Sequence, residues 1–138
     1  MDSGFDLQAY GRRLYECRDS GVLVPRAQLV IGDWSPQPNH CHANASVARD
    51  NDPNLEAVRG WVFFAFGYLL DLVRFTAHSV VRTRDGQLLY DITPNRASQQ
   101  YPFIVAEESE EAFRQLVEDA NVQHLDYDLA TGRTTAQG

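Results

Sequence analysis

Apolar residues recur at Leu7, Tyr10, Leu14 and Cys17 with polar residues between them, the spacing of one helix face, and Gly21 follows as a stop. This predicts an amphipathic helix from Asp6 to about Asp19 with Cys17 on its buried stripe. Val22 to Ile31 is rich in β-forming residues but interrupted by Pro25, which predicts an edge strand or an irregular extended segment. Gly32 to Asn39 carries Pro36 and Pro38 and no periodicity, and reads as a loop. It delivers His40-Cys41-His42-Ala43-Asn44-Ala45-Ser46-Val47-Ala48, compatible with a short helix beginning near the cysteine.

After the polar connector Arg49 to Asn54 the pattern turns to strands: Val58 to Phe66, Leu72 to Thr83, Gln87 to Thr93, and a further extended piece over Tyr101 to Val105. An antiparallel meander is expected, with Trp61, Phe63, Phe64, Phe66 and Tyr68 packed on one side of it. Ser109 before Glu110 and Glu111, then Ala112, Phe113, Leu116 and Val117, predicts a second amphipathic helix. From Asp126 onward the chain is polar and small. The expected organisation is one α+β domain over residues 1–130, an antiparallel sheet of about four or five strands with helices packed on one side, followed by a flexible tail over 131–138.

The segment His78 to Pro94 carries the sharpest local signal. Asp85-Gly86 lies between two β-prone runs, the pair favoured in a two-residue type I′ hairpin. With those residues as the loop, Arg84 faces Gln87, Val80 faces Asp91 and His78 faces Thr93. The period of two then puts His78 and Asp91 on one face as diagonal neighbours, where a carboxylate can hold an imidazole.

The 138 residues are 43% hydrophobic, enough for one core and short of two. The formal net charge is −7 and the basic residues are scattered, so no footprint for nucleic acid exists. Met1 to Asp6 lack the features of a secretory signal, and the most apolar window, Trp61 to Leu72, is short and broken by Gly67 and Asp71. A cytoplasmic protein with no membrane partner is expected. Of the two cysteines, Cys17 and Cys41, at least one is left as a free thiol.

Cys41 is a candidate nucleophile, its thiol acidified by the orphan N–H groups of a helix start and by His40 and His42; the alternative is an inert buried thiol. His78 is the candidate base, otherwise a strand histidine bonded to backbone or solvent. Asp91 orients that ring, or caps the strand end before Thr93-Pro94. Gln37, Asn39 or Asn44 could offer an oxyanion donor, or stabilise the loop and the helix start. Trp34 lines a substrate cleft or packs a core. His40-Cys41-His42 also permits a metal reading: extended, the two imidazoles share a face, and His78 or Asp91 completes a site for zinc or another divalent ion.

The order Cys41, His78, Asp91, with the cysteine after a loop and the other two on successive strands, resembles the papain-like superfamily in its broad sense, including its transglutaminase-like branch. The match runs from about Gln37 to Pro94 and is best over Ala77-His78-Ser79-Val80 and Asp91-Ile92-Thr93-Pro94. The resemblance implies a cysteine at a helix N-terminus set against an antiparallel sheet that bears the histidine and its orienting partner. It implies cofactor-free acyl transfer on a peptide, a glutamine side chain or a small amide, by hydrolysis, deamidation or transamidation. The other readings are a metal-dependent hydrolase or metal-binding protein using His40, His42 and His78, and a non-enzymatic interaction module built on the aromatic sheet.

Overall fold

The computed structural model describes residues 5–66, 70–95 and 100–138. Three helices, α1 (Leu7–Glu16), α2 (Cys41–Asn51) and α3 (Glu110–Arg114), join six strands: β1 (Leu55–Ala65), β2 (Leu72–Thr83), β3 (Leu89–Tyr90), β4 (Phe103–Val105), β5 (His124–Asp128) and β6 (Thr134–Gln137). The class is α+β.

β1 and β2 form the centre, paired antiparallel from Leu55 opposite Thr83 to Ala65 opposite Val73. The sheet runs β4-β1-β2-β5-β6, with β3 also on β2, and every pairing is antiparallel. It is not a simple meander, because after β3 the chain crosses to β4 on the far edge and returns to β5. Alternation along the strands divides the aromatics that were expected on one side. Trp61 and Phe63 join the main core, whereas Phe64 stacks with Phe66 and Tyr101; Tyr68 lies outside the described residues.

All three helices cover the same face. α1 and α3 close the main core, in which Trp61, Phe75 and Leu125 are fully buried. α2 lies over Leu55, Val81 and Ile92 through Ala45 and Ala48, whose small side chains bring its backbone close to β2. On the opposite face a smaller cluster gathers Val24, Val58, Val80 and Phe103.

Local chemistry sets the element ends. The Asp6 carboxylate accepts from the Gln8 and Ala9 N–H groups and starts α1. That helix stops at Glu16, so Cys17 is its C-cap and is exposed rather than buried with Tyr10 and Leu14. The Ser109 hydroxyl accepts from Ala112 N–H at the start of α3, and a wide π turn over Gln115–Asp119 then carries Leu116 and Val117 inward.

The expected tail also folds. Residues 134–137 are strand β6, paired with β5, and Thr134 is buried. Polar composition hid this hairpin: Asp126 is buried in β5 because Arg74 donates to both its carboxylate oxygens, at 2.8 and 2.9 Å. Among the described residues no helix is long and apolar enough to cross a membrane.

Candidate active site

On one edge β2 has two neighbours. β5 pairs with Leu72 to Thr76 and β3 with Val81 and Arg82. Among the described residues, 77–80 between them have no strand partner on that side, apart from the bond from Ala77 N–H to the Gln123 carbonyl. His78 occupies this notch.

The β2–β3 register is the one the Asp-Gly turn implied, with Val81 opposite Tyr90 and Arg82 opposite Leu89. The turn itself differs. Gly86 alone of the central pair has a positive φ, 77°, so the type I′ form is not adopted. Asp85 keeps an ordinary φ because its Oδ1 accepts from the Thr83 hydroxyl at 2.6 Å and from Gln87 N–H at 3.0 Å, closing a longer loop. Beyond Tyr90, Asp91 pairs outward with Pro25 and Ala27. Its Oδ2 meets His78 Nε2 at 2.7 Å, and its Oδ1 accepts from Thr93 N–H at 3.2 Å. Both side chains are 19% exposed.

Cys41 opens α2. The first intrahelical backbone bond runs from Asn44 N–H to the His40 carbonyl, so the N–H groups of Cys41, His42 and Ala43 precede it. His40 makes no side-chain cap there. The loop leading in is held by Asn44, which is 2% exposed. Its Oδ1 accepts from Gln37 N–H at 3.0 Å, and its Nδ2 donates to the Gln37 carbonyl at 2.8 Å and the Thr93 hydroxyl at 3.0 Å. Asn44 thus ties the approach to Cys41 to the strand end that carries Asp91. Asn44→Ala should cost about 2 kcal/mol, because a buried amide gives up three hydrogen bonds, two to the Gln37 backbone and one to the Thr93 hydroxyl. Urea unfolding measures this.

The Cys41 thiol lies beside the His42 and His78 rings, all three lining one cleft. Burial pushes the thiol up, but hydrogen bonding from the two rings and the charge of His78 outweigh it and bring it down to about 6. For His78 burial acts downward, and the bonds to Asp91 and Cys41 overcome it and lift the ring to about 10. Between those values the pair is thiolate and imidazolium. With Nε2 on Asp91, the ring nitrogen left for sulfur is Nδ1.

These groups line a cleft of about 1130 Å³ at the notch, walled also by Val24, Val62, Val80 and Phe103. Asn39 reaches it from a left-handed conformation, φ 65°. The other weaker candidates have different roles. The Gln37 amide turns to the Ser35 carbonyl, 3.0 Å, Asn44 is committed to the loop, and Trp34 packs on the cluster under α2. The metal reading required an extended His40-Cys41-His42, but helix geometry sends residues two apart to different faces, and His40 is exposed. Among the described residues no three His, Cys, Asp or Glu side chains are grouped to hold an ion.

Sequence reasoning missed three residues here. Arg59, a charge within an apolar strand, was the readable signal. Its guanidinium donates to the His42 carbonyl (2.9 Å), the Ser79 hydroxyl (3.1 Å) and the Ser46 hydroxyl (2.7 Å), and pairs with Glu110. Ser79 and His124 gave no such signal. His124 lines the cleft with Nδ1 2.9 Å from the Thr76 hydroxyl, and burial, then the charge of Arg74, lower its pKa. No protein-family model, curated protein or solved structure matches the chain.

Proposed function

We propose that this protein is a thiol-dependent acyl-transfer enzyme, papain-like in the broad sense, acting on an amide. The observation that carries the reading is the Cys41 thiol at the uncapped start of α2, in one cleft with a histidine whose Nε2 is held by Asp91. Catalysis needs this set: an ionised nucleophile, a proton carrier and a group that fixes the carrier's orientation.

In the reaction the Cys41 thiolate attacks the acyl carbon, an S–C bond forms, and the carbonyl π pair moves onto oxygen. Collapse breaks the C–N bond as His78 gives its Nδ1 proton to the departing amine. Water, or a second amine, then adds to the thioester while His78 takes its proton, and cleavage of the S–C bond restores the thiolate. Asp91 keeps the His78 ring in place throughout and stabilises it whenever it is protonated. The N–H groups at the start of α2 are available to the oxyanion. Peptides, glutamine side chains and small amides fit this chemistry, and a reducing compartment such as the cytoplasm keeps the thiol available.

A Cys17→Ser variant, which leaves Cys41 as the single thiol, tests the reading. Its iodoacetamide labelling rate should rise with pH through a midpoint at about 6, because protonation of the thiolate below that value removes the nucleophile. A midpoint at about 8.5, that of an unperturbed cysteine, would sink the proposal.

A further inference from the structure

Two imidazoles share the cleft with the thiol, and hydrogen-bond direction separates their jobs. Arg59 and Ser79 face each other directly across β1 and β2, beneath α2. The Arg59 guanidinium has only hydrogens to give, so in its 3.1 Å bond the Ser79 oxygen accepts. Ser79 is 1% exposed, and its own hydroxyl hydrogen has one acceptor among the described residues, His42 Nδ1 at 2.6 Å. A ring that accepts at Nδ1 carries its hydrogen on Nε2. The ring is also held from the side by Phe113, edge to face at 5.8 Å between centroids, and from above by the bond from Arg59 to the His42 carbonyl.

We propose that His42 is a second catalytic histidine, a fixed hydrogen-bond donor through Nε2–H to the Cys41 sulfur and to the oxyanion that forms beside it, with Ser79 and Arg59 as the positioning residues that set its tautomer. This rests on Cys41 being the nucleophile. The division of labour is physical: His78, backed by a carboxylate, holds and moves a proton, whereas His42, backed by a hydroxyl that Arg59 polarises, gives a hydrogen bond. It supplies the side-chain donor that Gln37 and Asn44 do not. A donor aimed at developing charge is worth about 10²–10³-fold in turnover, so His42 is a major part of the site.

The experiment has two arms on the full chain carrying Cys17→Ser. Long-range ¹H–¹⁵N NMR of the otherwise unaltered protein at neutral pH reads the ring directly. The expected spectrum has His42 protonated at Nε2 and bare at Nδ1, and a ring protonated at Nδ1, alone or with Nε2, overturns the proposal whatever Cys41 does. In the second arm iodoacetamide labelling of Cys41 is followed against pH. The charged groups around the ring that shape this profile are His78 on β2, Arg59 on β1, Arg49 on α2 and Glu110 on α3.

His42→Phe keeps the aromatic packing and removes the donor, and should raise the midpoint by about one to two units, slowing labelling at pH 7 about two- to tenfold, the scale of one lost hydrogen bond to a charged group. Ser79→Ala should act in the same direction. His42→Gln, which retains an N–H donor, and Ser79→Thr, which retains the hydroxyl, should restore most of the rate. Unchanged profiles in both His42→Phe and Ser79→Ala, with the parent midpoint still low, overturn the role of His42 alone. A parent midpoint of an ordinary thiol overturns the nucleophile reading, and the role of His42 at the sulfur with it.

Discussion

Cys41→Ala abolishes turnover, His78→Ala lowers it by about 10⁴–10⁶-fold, and the double variant is no worse than the more damaging single one. That is the expected result on an amide substrate, which a panel of thiol-directed probes followed by an amide scan would identify. The non-additivity follows from the geometry: once His78 is gone the thiol loses its proton acceptor, and once the thiol is gone His78 has nothing to activate. Asp91→Asn should be less severe by roughly a hundredfold, since an amide still positions the ring while stabilising its cationic form less. The pH–rate profile should fall below about 6, as the thiol gains a proton, and above about 10, as His78 loses one. Chelators should leave turnover unchanged. If Cys41→Ala kept full turnover while chelation removed it, the thiol mechanism would be wrong.

Gly60→Ala is expected to cost about 3 kcal/mol, the upper end of the overpacking range, lowering the melting temperature by roughly 10 °C in a chain of this size. Gly60 lies directly opposite His78, and a methyl group there would overlap the Ile104 carbonyl oxygen and the tip of the Phe103 ring. The obstacle includes β4 backbone, so the strand itself must move. Phe103 packs edge-on to His78, with centroids 6.2 Å apart, so cleft wall and histidine move with it. Gly86→Ala is the control. A methyl group at that hairpin position meets no atom within 4 Å, and the positive φ alone should cost about 1 kcal/mol. Thermal unfolding of the two variants separates steric cost from conformational cost.

The register of β2 on β3, and with it the meeting of His78 and Asp91, was legible because a short turn and a period of two leave few ways to pair. The helix over Cys41 was legible in outline. The orientation of Cys17 was not: its spacing continues the stripe of Tyr10 and Leu14, but the helix ends one residue earlier, and spacing alone does not reveal that. The β5–β6 hairpin was missed because the burial of Asp126 rests on its pairing with Arg74, two residues distant in sequence that each look like surface. The role of Arg59 was hidden for the same reason. Its partners, His42, Ser46, Ser79 and Glu110, come from three other elements, and only the folded chain brings them within reach.

If β3 were three residues longer, its register would place Thr93 opposite His78 and finish the edge of β2. An engineer who rewarded matched strand lengths and complete backbone pairing would make that repair, and the product would be a tidier and more stable sheet. It would also bring strand backbone against the stretch that carries His78 and crowd the approach to Cys41. Redesign for stability should therefore hold the lengths of β3 and β5 fixed and look for its gains at the far ends of β1 and β2.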